Sequence, residues 1–272
     1  MKIELTLGSL FDGSGGFPLG GILAGITPLW ASEIEPFAVR VTTKRLPQMK
    51  HYGDVSSLNG ADLPPVDIIT FGSPCQDMSI AGKRSGLDGS RSSLFYEAVR
   101  IIKEMRCATN GKYPRFCVWE NVPGAFSSNK GEDFRCVLES LCRVSDETVS
   151  VPRCEKWTNA GEILADGFSI AWRVLDAQYW GVPQRRKRIF LVTDFDSECA
   201  RKILLESEGL SGYSAEGFKA WQRTAAAAES SSGTADAVCL NDQGGKSIEI
   251  SHDITATLRA ETHGHPPCVM ES

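Results

Sequence analysis

A chain of 272 residues can bury one sizeable core plus a smaller appendage, and its length alone permits two domains. Its 42% hydrophobic and 23% charged content is that of an ordinary globular protein. It has no apolar run of about 18 residues and no basic-then-apolar N-terminus, so neither a membrane span nor a secretory signal is expected and the cytoplasm is the default setting.

The net charge of −5 argues mildly against a nucleic-acid partner, yet the cations cluster. Lys83, Arg84, Arg91, Arg100, Lys103 and Arg106 crowd one region, and Arg185, Arg186, Lys187 and Arg188 form a second group. The nine cysteines show no C-x-x-C spacing and read as reduced thiols, mostly small buried hydrophobes.

In chain order, short apolar runs alternate with segments of helical period, the pattern of a parallel sheet with helices on both faces. Residues 5–11 read as a strand and 19–24 as a helix after a glycine turn. Residues 27–32 form a second strand and 36–45 a helix, with Pro36 suited to a first turn. Residues 66–71 make a third strand, whose near-continuous apolar run suits burial on both sides. Leu94, Phe95, Ala98, Val99, Ile102 and Met105 lay a helical stripe across 93–105. Residues 116–119 are a fourth strand, 132–144 a further helix, and 168–175 and 189–192 finish the sheet. Residues 145–167 read as a long polar loop or excursion, and 224–233 as a flexible connector or loose helix. Beyond residue 195 the α/β rhythm stops. The expected division is therefore a first domain over 1–194 and a second region over 195–272.

In open α/β sheets ligands bind beyond the carboxyl ends of the strands. Glu33, Asp54, Cys75 and Glu120 each follow an apolar strand and are expected along one edge. The loop Phe11-Asp12-Gly13-Ser14-Gly15-Gly16 closes a strand and opens a helix, as a cofactor loop does, although nicotinamide binding or plain packing would also use it. Glu33, about 20 residues on, can accept from ribose hydroxyls. Asp54 can accept from an adenine amino group. Pro74-Cys75-Gln76 presents a thiol that is either a nucleophile or a buried structural cysteine. Glu120, in Trp119-Glu120-Asn121-Val122, is either a reacting carboxyl or a strand-end cap. Arg186 and Arg188 alternate along an extended segment, so both project to one side, as a binding pair or as a solvated basic run. His263, His265 and Cys268 lack a fourth ligand at a standard spacing, so no metal site is expected.

Taken jointly, the order and spacing of these motifs resemble the DNA (cytosine-5)-methyltransferase family over roughly residues 5–194. The resemblance implies a doubly wound, mostly parallel sheet of the S-adenosylmethionine-dependent methyltransferase type. The cofactor would be held by Phe11, Asp12, Gly13, Gly15, Gly16, Phe17, Glu33, Ile34, Asp54, Val55 and Pro74, with Phe17 and Val55 as apolar walls. Cys75 would add to C6 of a cytosine flipped out of double-stranded DNA, and Glu120, Arg186 and Arg188 would hold its polar edge. Residues 80–91, with glycines at 82, 86 and 89, would be a mobile catalytic loop. Ser79, Lys83, Arg91, Gln76 and Asn121 would face DNA. The family also carries a recognition region and two closing motifs after the arginine segment, and neither closing motif is found here. The second region is accordingly expected to be incomplete. The chain alone would be poorly stable or weakly active, and a complementing C-terminal polypeptide would restore it. Alternatives are an RNA cytosine methyltransferase or a non-catalytic DNA- or cofactor-binding fragment.

Overall fold

The computed structural model describes residues 4–73, 94–154, 156–181 and 183–205, and the backbone of three strands beyond residue 237. The chain divides into two compact units. One comprises Met1–Val174 and Ile189–Leu205, the other Leu175–Arg188 and Glu206–Ser272.

The first unit is built on an eight-stranded sheet. Its elements are β1 (Thr6–Leu10), α1 (Gly16–Leu23), β2 (Thr27–Ser32), α2 (Pro36–Arg45), β3 (Lys50–His51), β4 (Ile68–Phe71), α3 (Leu94–Ala108), β5 (Phe116–Asn121), α4 (Glu132–Ser145), β6 (Ala160–Ala165), β7 (Phe168–Asp176), β8 (Lys187–Asp194) and α5 (Ala200–Leu205). The strand order is β3-β2-β1-β4-β5-β8-β7-β6. The pairs from β3 to β5 are all parallel, while β8 runs antiparallel to β5 and β6 antiparallel to β7. This is the mostly parallel α/β architecture expected. All four residues of β4 are buried, as a strand covered on both faces requires.

The main core lies where α3 and α4 meet the sheet. Phe95, Ile102, Trp119, Phe134 and Leu138 are fully or almost fully buried there. Aromatic edges build much of it: Phe134 meets Trp172 at 5.6 Å and Trp157 at 5.2 Å, near perpendicular in both cases. Trp157 corrects the expectation of a long loop over 145–167. Its indole N–H donates to the Gly131 carbonyl (2.9 Å) and its ring joins the core, so this segment returns to the sheet as β6. The first helix also starts earlier than periodicity indicates, at Gly16, because Gly15 adopts a left-handed N-cap (φ 86°) that turns the chain at once.

In the second unit, β9 (Val238–Asp242) pairs antiparallel with β10 (Ile248–His252) and β11 (Cys268–Met270) in a three-stranded sheet. Of the cysteines described, Cys117 and Cys142 are buried, and burial pushes their thiols up to about 12 and about 11. Cys107 and Cys154 are exposed, against the reading of mostly buried thiols.

Candidate active site

Register brings several strand ends to one level. Leu10 pairs with Ser32 on one side and with Phe71 on the other, and Phe71 pairs with Trp119. The next residues, Glu33, Phe11 and Gly72, therefore leave one edge of the sheet together, level with Glu120, which is still paired with Phe190 of β8. Three strand spacings, roughly 14 Å, span this row.

Phe11 leaves β1 in the left-handed region (φ 54°), a costly conformation for a residue with a side chain and one that concentrates at functional sites. The Asp12 N–H donates to Ser32 O and the Gly15 N–H to Asp12 O, each at 3.2 Å. A Cβ on Gly15 would lie 2.8 Å from Thr42 Cγ2, whereas Gly13 and Gly16 have open space at that point and leave the backbone approachable. Both carboxylate oxygens of Asp12 are buried without a hydrogen-bond partner among the described residues. Burial, eased by the nearby Ser9 hydroxyl and aggravated by the Glu33 charge, raises this carboxyl to about 6. The Ser9 hydroxyl lies near Asp12 without reaching hydrogen-bond geometry.

Glu33 organises the loop. Its Oε2 accepts from the Gly13 N–H (2.7 Å), and its Oε1 from the N–H groups of Ile34 (2.8 Å) and Glu35 (2.9 Å). Asp54 is exposed, and its Oδ1 caps the following turn by accepting from the Ser56 N–H (2.9 Å). Ile34 is exposed, Phe17 half-buried, and Val55 buried in the main core, where it supports the Asp54 turn from beneath.

That turn is tied to α3 by Arg100, one of the cations that cluster in this region of the sequence. Its guanidinium donates to the carbonyls of Leu58 (2.8 Å) and Val55 (3.2 Å) and pairs with Glu97 (2.6 Å) and Glu104 (2.8 Å). Glu104 in turn accepts from the Gly60 N–H (2.7 Å). Arg106 is likewise engaged in the fold, with Pro114 O (2.7 Å) and Asp196 (3.0 Å). The visible signal was the Glu97-x-x-Arg100-x-x-x-Glu104 spacing on one helix face.

At the adjoining strand ends, a Cβ on Gly72 would sit 3.1 Å from Glu120 Oε2, so a side chain there would displace that carboxylate by a few tenths of an ångström. The buried Asn121 side chain donates through Nδ2 to Ser73 O (3.4 Å) and accepts at Oδ1 from the Val122 N–H (2.7 Å). Asn121 thus straps the end of β4, two residues before Cys75, to the end of β5. Pro74, Cys75, Gln76, Ser79, Lys83 and Arg91, with the whole of the expected catalytic loop, lie outside the described residues.

In the second unit, Asp176 Oδ1 accepts from the Gln178 N–H (3.3 Å) and the Arg186 N–H (3.1 Å). Arg188 donates to Lys187 O (2.8 Å). Asp176 carried no signal in the sequence beyond a turn-capping preference. A cleft of about 510 Å³ opens elsewhere in the first unit, among Arg106, Cys107, Arg143 and Asp146, and includes none of the motif residues. Among the described residues no cluster of His, Cys, Asp or Glu could hold a metal ion, and no helix is long and apolar enough to cross a membrane.

The C-5 cytosine-specific DNA methylase family matches this chain over residues 5–145 and 158–215. With most of its length matched, and with motif-bearing strand ends ranked along one sheet edge, the chain belongs to that family. A protein of Escherichia phage P1 named DNA N-6-adenine-methyltransferase is 34% identical over 237 residues, covering 76% of this chain and 31% of its own. The type II methyltransferase M.NgoBV of Neisseria gonorrhoeae is 32% identical over 170 residues, 62% of this chain and 35% of its own. The Dnmt2 methyltransferase structure from S. pombe covers 72% of this chain and 51% of its own, at TM-score 0.48 and 18% identity. The match spans about a third to a half of the length of the chain's curated relatives.

Proposed function

We propose that this protein transfers a methyl group from S-adenosyl-L-methionine to C5 of cytosine in double-stranded DNA, with the base flipped out and held covalently by Cys75. The observation that carries the reading is the strapping of β4 to β5: Glu120 stands over Gly72, and Asn121 holds the carbonyl of Ser73 just before the Cys75 segment. A thiol that adds to C6 needs a carboxyl at N3 and the 4-amino group of the same ring, so the two segments must be held together.

Cys75, as thiolate, adds to C6 and drives electron density toward C5 and N3. Glu120 supports the charge at N3, C5 takes the methyl group, the C5 proton leaves to water, and the thiolate is expelled to restore the ring. Arg186 and Arg188 supply donors to the cytosine O2 and to phosphate. Bound S-adenosyl-L-methionine would supply an electrophilic methyl group on a sulfonium. The residues present fit it. The open backbone at Gly13 and Gly16 lets a ligand close in, the orphaned Asp12 carboxylate suits a cationic group, and Asp54 is exposed for an amino group.

The adenine-N6 name of the phage P1 relative offers a second target, because that protein shares most of this chain. An exocyclic amine requires no thiol addition to the ring, so Cys75 and Glu120 favour cytosine. A restriction-modification setting and phage self-protection both fit the reading, as does a complementing C-terminal polypeptide that completes the molecule.

Expression in a host without cytosine methylation, followed by base-resolution mapping, tests the proposal. It expects 5-methylcytosine in one sequence context, lost in Cys75→Ala and reduced roughly 10²- to 10⁴-fold in Glu120→Gln. Methylation that survives Cys75→Ala, or that falls on adenine, would overturn it.

A further inference from the structure

Tyr179 and Trp180 are consecutive large aromatic residues, 74% and 48% exposed. The methyl-transfer chemistry gives them no task, and side chains of this size are rarely left in water without a partner. They occupy the 3-10 turn Ala177–Trp180 in the second unit. The buried carboxylate of Asp176 braces that turn. Its Oδ1 accepts from the Gln178 N–H and the Arg186 N–H, and its Oδ2 from Gln178 Nε2 (2.8 Å). The Ala177 N–H donates to the Arg186 carbonyl (3.0 Å). One backbone bond and one backbone-to-carboxylate bond thus fix the turn to a segment that carries Arg185, Arg186, Lys187 and Arg188.

A 3-10 turn has three residues per turn, so consecutive side chains point about 120° apart. The two rings therefore splay as separate faces instead of covering each other. Exposed aromatic faces braced beside a run of cations suit a nucleic-acid strand, whose phosphates meet the cations while unstacked bases lie on the rings. The four cations disfavour a purely apolar protein surface as the occupant, since charged residues are depleted from the centres of such interfaces.

We propose that Tyr179 and Trp180 form a stacking platform for the unpaired bases of a DNA strand, held in place by Asp176 and flanked by the basic segment. The choice of DNA rests on the methyl-transfer reading above, and the platform itself rests on exposure, bracing and charge.

The test uses the full chain and a short fluorescein-labelled single-stranded DNA, with anisotropy titrations across a salt series. Tyr179→Ala and Trp180→Ala are each expected to weaken binding about 10-fold, the effect of losing one stacked base. The slope of log Kd against log salt should stay unchanged, because no phosphate contact is removed. Trp180→Phe keeps a stacking face and should stay within about 3-fold of the parent. An Arg185→Gln variant, by contrast, should make the slope shallower. Unchanged affinity in both alanine variants overturns the platform, as does a changed slope or a parent chain that does not bind. Tighter binding to RNA of the same sequence overturns the choice of DNA. Mapping of 5-methylcytosine for the same variants keeps the two readings separable. A stacking effect beside methylation that survives Cys75→Ala retains the platform and removes the covalent reading, while Cys75-dependent methylation without a stacking effect does the reverse.

Discussion

Two side chains, Asp12 in the loop after β1 and Arg100 on α3, carry consequences out of proportion to their size. Asp12 is a buried carboxyl with no hydrogen-bond partner among the described residues, raised from 3.8 to about 6, chiefly by burial. Well below pH 3.8 it is protonated whether folded or not, and its stability contribution is intact. As pH rises toward 6 the unfolded chain ionises first, so stability falls, and beyond that the penalty is constant. Two units correspond to about 3 kcal/mol, an upper bound. Asp12→Asn should therefore raise the melting temperature near pH 8 and leave it unchanged near pH 3, as thermal melts at the two values will show. Arg100 works in the opposite sense, joining Glu97, Glu104 and two carbonyls of the Asp54 turn. Replacing it by Met leaves two carboxylates without their cation. Because the site is partly exposed, the expected cost is about 2 kcal/mol. Cofactor affinity, read by calorimetric titration, should fall as the Asp54 turn loosens. Arg100→Lys should recover stability only partly, since an ammonium cannot reproduce the fork.

At the scale of elements, the loop before β4 packs against α3 so closely that a Cβ on Gly60 would lie 2.2 Å from the Ile101 carbonyl oxygen. That neighbour is helix backbone and cannot yield cheaply. Gly60→Ala should cost more than about 2 kcal/mol and lower the melting temperature by several degrees, with α3 and the Asp54 turn displaced together. Strand β2 and helix α2 were legible end to end from sequence. Pro36 opens the helix and Glu35 caps it, accepting weakly from the Phe37 N–H (3.5 Å). The two-residue β3 and the hairpin strand β6 were not legible. The first is too short for any periodicity, and the second depends on Trp157 reaching the core far from it in sequence.

For the molecule as a whole, α1 presents an exposed apolar face. Leu19, Ile22 and Leu23 are 55%, 39% and 81% exposed, and Ile34 and Phe37 nearby are also uncovered. If a complementing polypeptide completes the protein, this surface is a natural place for it. Leu23→Ser should then leave the stability of the chain alone within about 0.5 kcal/mol, as expected for a solvent-facing site. The same change should abolish restoration of methylation when the C-terminal polypeptide is supplied in trans. Restoration unaffected by Leu23→Ser would place the contact elsewhere.

The sequence by itself determined the chemical inventory and its order: a glycine loop, Glu33, Asp54, Cys75, Glu120 and an arginine segment, most of them placed after strands of a parallel sheet. Those features are local, because residue type, strand runs and helical stripes are written over a few consecutive positions. Only the tertiary structure decided that β8 enters the sheet antiparallel between β5 and β7. It alone joined Asn121 to Ser73 across 48 residues and Arg100 to the Asp54 turn across more than 40. Such contacts follow from strand register and from the packing of helices on the sheet, which no local pattern specifies.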